Sequence, residues 1–364
     1  MITIVVGARP NFVKVAPLIR ELDKNFKHIK YSLVHTKQHY DEQMDAIFFE
    51  DLEIPRPDIS FDTEGKTHAE ITASIMVNFE RYCVQNKPDL VLVVGDVNST
   101  LACSIAAKKL NINVAHIESG LRSFDIKMPE EINRKIVDSI SDILFITEES
   151  ARKNLISEGH DRNKIKFVGN LMIDNLFFQL RKIEKLQEET PEDFRFLKEC
   201  KRYGLLTLHR PSNVDEDKIL TNILNAVKKI SNDLHIIFSI HPRTEKSIRR
   251  LKLDLGPNIS CFPALPFNKF LILLKDADIV LTDSGGLQEE SCVLGVNCLT
   301  LRENTERPVT VESGFNRICG NKFDGIIKAY ESLKHQRDIK KNKIKKWDGN
   351  TSKRICKFID SYLG

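Results

Sequence analysis

Short apolar segments alternate with amphipathic segments from the first residues of the chain. In the first half the apolar segments, which are rich in Val, Ile and Leu, lie at residues 2–7, 31–36, 90–95, 113–118, 143–147 and 165–169. Between them, the segments 12–24, 67–86 and 99–110 have the apolar spacing of helices. Buried strands that alternate with helices predict a parallel, doubly wound α/β sheet.

The alternation pauses over residues 171–202, which combine an amphipathic helix with a charged, proline-containing connector. It resumes with apolar segments at residues 204–209, 234–240, 259–262, 279–283, 298–302 and 317–320. We therefore expect two Rossmann-like α/β domains, residues 1–170 and residues 171–349. In the tail, apolar side chains recur at helical spacing, so a helix over 350–364 is expected to pack back on the first domain.

Composition narrows the class of protein. The 364-residue chain has 41% hydrophobic and 29% charged residues, which is typical of a soluble globular protein. Its net charge of +4 comes from interspersed charges of both signs, so neither nucleic acid nor a membrane is indicated as a partner. The first residues predict a strand and not a signal peptide, and no apolar segment approaches the ~18 residues of a membrane span. Eight cysteines without a CxxC pair predict reduced thiols, a cytoplasmic location and no metal site.

Charged side chains follow the predicted strands of the first domain. They are Arg9 and Lys14 in GARPNFVK, Asp96 in GDVNST, Glu118 in HIESGLRS and Glu131 in PEEINR. Ligands of open α/β sheets bind beyond the carboxyl ends of the strands. An acid in the first turn of a helix, such as Glu131, is also explained by the helix dipole. Three acids in one region can divide the roles of acid and base, so the set favours proton-transfer chemistry.

The predicted strands of the second domain end in basic residues. His209 and Arg210 follow one strand, and His241 with Arg243 follows the next. A histidine at a strand end is often only a hydrogen-bonding residue. Because guanidinium groups bind phosphate in a bidentate manner, the repeated combination favours an anionic ligand.

The segment TDSGGLQEES, residues 282–291, follows a third strand of this domain. Gly285 and Gly286 allow a ligand to approach the backbone, where amide groups and the helix dipole favour a phosphate. Glu290 falls roughly on the same side of the helix as Ser284 and could accept hydrogen bonds from a sugar diol. Helix capping and dipole-favoured acids explain the same residues structurally. The chain has no complete GxGxxG fingerprint, so a dinucleotide is not favoured.

Taken together, the motifs resemble those of a known family. GARPNFVKVAPL, TKQHYDEQM, VVGDVNST, HIESGLRS, PEEINR, LHRPSN, TDSGGLQEE and TERPV occur in the order found in the non-hydrolysing UDP-N-acetylglucosamine 2-epimerases, from residue 3 to about residue 320. The resemblance implies a GT-B-like fold with the active site between two Rossmann-like domains. It implies interconversion of UDP-GlcNAc and UDP-ManNAc by anti elimination of UDP to 2-acetamidoglucal and re-addition. The implied partners are these sugar nucleotides, UDP and a second copy of the chain, with no cofactor.

The resemblance also implies roles for single residues. Asp96, Glu118 and Glu131 match the acid/base carboxylates of the family, and His209 matches a further catalytic residue. The implied substrate-binding residues are Arg9, Lys14, Phe267, Ser284, Gly285, Gly286, Glu290 and Arg307. Within that set, Ser284 and Gly285 match diphosphate contacts and Glu290 matches the residue that holds the ribose diol.

Some members of the family are activated by UDP-GlcNAc bound at a second site. Gln38, His39, Arg210 and His241 match parts of that site. Tyr40 stands where those members have an arginine, so the resemblance does not by itself extend to activation.

Three alternatives share these sequence features. A GT-B glycosyltransferase would use the same UDP-binding half but needs fewer acids beside the sugar. A hydrolysing epimerase would release ManNAc and UDP, which differs only in the access of water. A catalytically inactive UDP-sugar sensor would not need all three acids.

Overall fold

The computed structural model describes residues 1–38, 46–186, 192–198, 200, 202–335 and 343–364. The chain forms two compact units. The first unit comprises Met1–Asn175 and Lys345–Gly364, and the second comprises Leu176–Ile344. His39 and Tyr40 lie outside the described residues.

The strands are short, and most of their residues are apolar. They are β1 Ile2–Val6, β2 Tyr31–His35, β3 Ile59–Ser60, β4 Leu90–Val94, β5 Asn113–Ile117, β6 Ile143–Ile146, β7 Ile165–Phe167, β8 Tyr203–Thr207, β9 His235–Ile240, β10 Ile259–Pro263, β11 Ile279–Thr282, β12 Asn297–Thr300 and β13 Asn316–Ile318. All five residues of β1 and all five of β4 are buried. Strands that are buried on both faces have continuous apolar sequences, as the predicted parallel sheet requires.

Helices follow nearly every strand. They are α1 Arg9–Asn25, α2 Ala46–Leu52, α3 His68–Asn86, α4 Asn98–Lys109, α5 Pro129–Ile140, α6 Glu149–Ser157, α7 Leu171–Leu186, α8 Pro211–Val214, α9 Asp217–Ile230, α10 Pro242–Leu251, α11 Phe267–Asp276, α12 Gly285–Leu294, α13 Pro308–Glu312, α14 Phe323–His335 and α15 Thr351–Leu363. Short 3-10 helices lie at Arg162–Lys164 and Glu192–Lys198. Proline occupies one of the first two positions of α1, α5, α8, α10 and α13, where its missing N–H costs nothing.

In the described part of the chain, the two sheets share one strand order over six strands, and the first sheet has a seventh strand at its edge. Within the described residues the first sheet is β3-β2-β1-β4-β5-β6-β7 and the second is β10-β9-β8-β11-β12-β13. Every neighbouring pair is parallel, for example β1 with β4 and β8 with β11. This is the doubly wound order of Rossmann-like folds, in which the chain reverses direction across the sheet after its third strand. The reversal points therefore lie between β1 and β4 and between β8 and β11.

The tail helix α15 belongs to the core of the first unit. Ile355 and Ile359 are fully buried, and the Phe358 ring lies 5.4 Å from that of Phe145. Asp174 of α7 caps α15, because its carboxylate accepts hydrogen bonds from the backbone amides of Thr351 at 3.0 Å and Ser352 at 2.7 Å. The capping carboxylate and the apolar face together fix the tail on this unit.

Candidate active site

Each unit presents sequence-predicted residues at the reversal point of its own sheet. Arg9 and Asp96 lie directly after β1 and β4 of the first unit. His209 and Ser284 lie directly after β8 and β11 of the second unit. Ligand sites of open α/β sheets occur at the carboxyl ends of the strands beside such a reversal. The predicted residues thus occupy the positions where this fold binds ligands.

Lys14 and Glu118 form an ion pair at the reversal point of the first sheet. The Nζ atom of Lys14 donates to Oε2 of Glu118 at 2.6 Å, and the two side chains are 17% and 5% exposed. Glu118 has a φ of 68°, a left-handed conformation that costs a non-glycine residue roughly 1–3 kcal/mol and is common at ligand sites. A Cβ at Gly95 would lie 3.3 Å from the same Nζ, so glycine after β4 leaves room for the pair.

Arg134 joins Asp96 and Glu131, the other two predicted acids. Its guanidinium donates to the Asp96 carboxylate and, through Nη1, to Oε2 of Glu131 at 3.2 Å. The same Glu131 oxygen accepts from the backbone amide of Ser123 at 2.8 Å and from its hydroxyl at 3.0 Å. Glu131 is almost fully buried, whereas the side chain of Asp96 is 26% exposed. Asp96 is therefore the more accessible of the two carboxylates.

These pairs were not predicted from the sequence. The sequence did not indicate partners for the three acids, but each carboxylate contacts a cation. Arg134 was not among the predicted site residues. Its signal was present in PEEINR, where an acid and an arginine three residues apart lie on one face of a helix.

Arg9 and Gln38 make separate contacts in the first unit. The guanidinium carbon of Arg9, an exposed residue, lies 4.9 Å from the centre of the Phe48 ring, within the range of a cation–π contact. The Oε1 atom of Gln38 accepts from the backbone amide and the hydroxyl of Ser99, both at 2.9 Å. Gln38 thus ties the segment after β2 to the start of α4.

In the second unit a buried aspartate holds His209. Asp283 is fully buried, and its Oδ1 atom lies 2.9 Å from Nδ1 of His209, whose side chain is 45% exposed. Asp283 also accepts hydrogen bonds from the backbone amide of Arg210 at 3.0 Å and the side chain of Asn213 at 3.2 Å. Burial alone raises the pKa of Asp283, but its bonds to His209 and to these amides outweigh it and lower the pKa. The carboxylate thus fixes Nδ1 of the imidazole and leaves the ring partly open to ligand.

Gly285 and Gly286 are the first two residues of α12. Ser284 is the residue that precedes the helix, and its hydroxyl makes no capping hydrogen bond. A Cβ built at either glycine would meet no atom within 4 Å. The backbone of this helix start is therefore open on that side, and a helix start favours an anion.

Two adjacent acids of α12 have different surroundings. Glu289 forms an ion pair with Arg307, whereas Glu290 is buried beside Glu289. Burial, with a smaller contribution from the charge of Glu289, raises the pKa of Glu290 to about 8. The site therefore holds a carboxyl group whose ionisation is costly until a hydrogen-bond donor reaches it.

The remaining predicted residues lie around the same edge of the second sheet. The His241 ring lies 6.4 Å from the His209 ring, and Nδ1 of His241 accepts from the backbone amide of Arg243 at 3.2 Å. Nε of Arg210 donates to the backbone oxygen of Asp283 at 3.1 Å. Phe267, the first residue of α11, is 39% exposed.

Within the described residues, no group of three or more His, Cys, Asp or Glu side chains is arranged to hold a metal ion. Of the helices in these segments, none has the length and apolar character needed to cross a membrane.

Comparison with known proteins identifies the family. A family model described as UDP-N-acetylglucosamine 2-epimerase matches residues 20–360. The UDP-N-acetylglucosamine 2-epimerase of Methanocaldococcus jannaschii is 42% identical over 98% of both chains. The crystal structure of the Methanocaldococcus jannaschii UDP-GlcNAc 2-epimerase in complex with UDP-GlcNAc and UDP covers 99% of both chains with a TM-score of 0.84. The UDP-2,3-diacetamido-2,3-dideoxy-D-glucuronate 2-epimerase of Pseudomonas aeruginosa is 39% identical over 89% of this chain and 90% of its own.

The two parallel α/β units and their strand order define a GT-B-like protein. A structure described as the glycotransferase of kitacinnamycin, 12% identical with a TM-score of 0.63, covers 99% of this chain and 98% of its own, and at that identity the likeness shows the fold alone. The chain belongs to the UDP-N-acetylglucosamine 2-epimerase family. The predicted family and fold class are therefore confirmed.

We predict that Glu290 makes the free protein less stable as pH rises. Its pKa of about 8 in the fold lies above the ordinary value of 4.5, so the folded state holds the proton more tightly than the unfolded state. The stabilisation is complete below pH 4.5 and is lost as pH rises to about 8. Glu290→Gln lacks this titration, so the variant should gain in Tm over the wild type as pH increases through that window. Parallel Tm profiles of the two proteins across the window would contradict the assignment.

Proposed function

We propose that this chain interconverts UDP-GlcNAc and UDP-ManNAc by inverting C2 of the sugar. The observation that carries the proposal is the set of three cation-paired acids at the reversal point of the first sheet. It occurs on a chain 42% identical over its length to an epimerase of that name. A glycosyltransferase does not require three acids at this edge for its reaction. A catalytically inactive sensor does not require acids for proton transfer at all.

The reaction we propose has two half-reactions. In the first, a carboxylate takes the proton from C2, the C1–O bond to UDP breaks, and the electron pair of the C2–H bond forms the C1–C2 double bond of 2-acetamidoglucal. In the second, a carboxylic acid returns a proton to the opposite face of C2 while an oxygen of UDP forms the bond to C1. Asp96, Glu118 and Glu131 are the groups that we assign to these transfers. The reaction consumes no water and changes no oxidation state.

Basic and backbone groups would stabilise the departing diphosphate. We assign Arg9, Lys14 and Arg307 to its charge, because guanidinium and ammonium groups stabilise a developing phosphate anion. The backbone of Ser284, Gly285 and Gly286 would supply amide donors at the start of α12. In our proposal these groups make UDP a good leaving group, which the weakly acidic C2 proton requires.

Two further side chains complete the proposed site. Nδ1 of His209 is held by Asp283, so Nε2 is the atom that we assign to the diphosphate side of the reaction. The Glu290 carboxylate would accept hydrogen bonds from the two hydroxyl groups of the ribose diol. These hydrogen bonds favour the ionised form of Glu290. We assign Phe267 to an apolar contact with the ligand. Gln38, Arg210 and His241 stay assigned to a second sugar-nucleotide site, together with His39 outside the described residues.

A second substrate is favoured by a specific finding. A 2-epimerase of UDP-2,3-diacetamido-2,3-dideoxy-D-glucuronate is 39% identical to this chain, close to the 42% of the UDP-GlcNAc enzyme. Both names describe inversion at C2 of a UDP-linked 2-acetamido sugar, so the acids would serve either. We propose UDP-GlcNAc as the substrate and the diacetamido glucuronate as the alternative.

Product analysis in D2O tests the activity. With UDP-GlcNAc we expect proton NMR to show UDP-ManNAc, with deuterium at C2 of both sugar nucleotides. Parallel incubation with UDP-2,3-diacetamido-2,3-dideoxy-D-glucuronate gives the relative kcat/KM of the two substrates. Free ManNAc with stoichiometric UDP would show the hydrolysing reaction instead. Absence of C2 exchange from both substrates would refute the proposed function.

Removing the titrating group from each acid tests the proposed mechanism. The variants Asp96→Asn, Glu118→Gln and Glu131→Gln keep the shape of the side chain, so we expect kcat to fall by roughly 100-fold or more in each. UDP affinity, measured by calorimetry, should change much less, because we assign the three acids to proton transfer and not to contacts with UDP. Glu130→Gln, an exposed acid beside Glu131, is the matched control and should keep wild-type kcat. Near-normal turnover in the three test variants would remove the acids from the mechanism.

We also propose that two copies of the chain associate and that the protein acts in the cytoplasm in polysaccharide precursor synthesis. Exposed apolar side chains before and on α5 favour association, namely Phe124, Ile126, Ile132 and Ile136, which are 80%, 63%, 41% and 38% exposed. Burial of such a set against a second copy would remove it from water.

Sedimentation of the wild type and of a double variant tests the association. We expect the wild type to be a dimer and Phe124→Ser with Ile126→Ser to shift it toward monomer, because the change removes apolar area from the proposed contact. Leu186→Ser is the control, since this side chain is 57% exposed but lies in the second unit. A monomeric wild type would contradict the proposed dimer, and an unchanged dimer in the double variant would contradict this surface.

A further inference from the structure

A buried aspartate of α5 collects hydrogen bonds from the loop after β5. Asp138 is fully buried. It accepts from the backbone amide of Gly120 at 3.0 Å, and its carboxylate lies 2.7 Å from Nδ1 of His116 and 2.8 Å from Nη2 of Arg122. Arg122 also donates through Nε to Glu158 at 2.9 Å. The result is a network of alternating charges that is buried at Asp138 and Arg122 and reaches the surface at Glu158.

His116 extends this network to a second loop. Its Nε2 atom lies 2.8 Å from the backbone oxygen of Gly95, and the side chain is fully buried. A backbone oxygen can only accept, so Nε2 carries a proton, and Nδ1 faces the Asp138 carboxylate. Burial alone raises the pKa of Asp138, but His116 and Arg122 outweigh it and lower the pKa. His116 therefore links the Asp138 carboxylate to the loop that contains Gly95.

The network connects the three segments that carry the proposed acids. Gly95, bound by His116, directly precedes Asp96. Gly120, bound by Asp138, lies two residues after Glu118. Asp138 itself lies seven residues after Glu131, which is two turns along the same helix. One buried carboxylate thus sets the relative positions of two loops and a helix.

We propose that His116 and Asp138 are positioning residues that hold Asp96, Glu118 and Glu131 in register for transfer of the C2 proton. The proposal rests on the proposed function. Neither side chain reaches the reversal point itself, since both are fully buried and each is bonded to groups of its own unit. Loss of one charge leaves its partner buried and uncompensated, so the loops must move to solvate it. Displacement of a catalytic group by about 1 Å is enough to cost ~100-fold in rate.

The test compares two buried aspartates of the first unit. Asp138→Asn removes the charge that joins the acid-bearing loops. Asp174→Asn removes an equally buried carboxylate, which also accepts several hydrogen bonds but caps α15 away from those loops. Both variants should have a lower Tm. At a temperature well below the thermal unfolding of both variants, we expect kcat to fall ~10- to ~100-fold in Asp138→Asn. In Asp174→Asn we expect kcat to stay near the wild-type value.

A second network variant guards against a folding defect in Asp138→Asn. Hydrogen exchange adds a measurement that does not depend on activity. His116→Gln retains an amide that can donate to Gly95, so we expect a smaller loss of kcat than in Asp138→Asn. Hydrogen exchange should become faster at residues 95–98 and 118–123 in both network variants but not in Asp174→Asn. Equal loss of kcat in the two aspartate variants, or unchanged exchange in these two segments, would overturn the proposal. A wild type without epimerase activity would refute the proposed function, whereas the exchange comparison would still decide the positioning role.

Discussion

Burial of carboxylates beside cations is the constraint on which the proposed site of the first unit depends. A carboxylate that leaves water must gain an opposite charge and hydrogen bonds, or it becomes neutral. Glu118 meets this requirement with Lys14, and Glu131 meets it with Arg134 and the hydroxyl and amide of Ser123. Lys14 of α1 pairs with Glu118 after β5, and Arg134 of α5 also pairs with Asp96 after β4, so these ion pairs require two helices and two loops to lie in a defined arrangement. The chemistry and the fold therefore depend on the same contacts.

In each unit a buried aspartate contacts a histidine, but the two histidines differ in their exposure to solvent. In the first unit Asp138 holds His116, and both side chains are fully buried. In the second unit Asp283 holds His209, but the histidine is 45% exposed. A fully buried histidine can only fix the positions of its neighbours, whereas a partly exposed one can also reach a ligand. The same pair thus positions loops in one sheet and, in our proposal, presents Nε2 of His209 to the diphosphate in the other.

The sequence predicted the parts of the fold that depend on continuous apolar segments. β1 and β4 were located within one residue because all five residues of each are buried. β3 was not predicted, since two residues, Ile59–Ser60, carry no periodic pattern. Motif order predicted the family, but not the partners of the site residues. Asp283 was not predicted to have a role, because it was assigned to the end of a strand and its contact with His209 joins distant segments. Arg134 was not predicted either, although its spacing from Glu131 was visible in the sequence, because its contact with Asp96 leaves no local pattern.

Charge is distributed unequally between the two edges of each sheet. Asp142 and Asp278 precede strands β6 and β11, and their ion pairs with Lys108 and Arg202 leave every side chain at least 26% exposed. Exposed pairs of this kind contribute about 0–1 kcal/mol. At the carboxyl edge of the second sheet, by contrast, burial raises the pKa of the Glu290 carboxyl group to about 8. Ionisation of such a group destabilises the free protein. In our proposal a bound ligand offsets this cost, because its hydroxyl groups donate hydrogen bonds to the carboxylate.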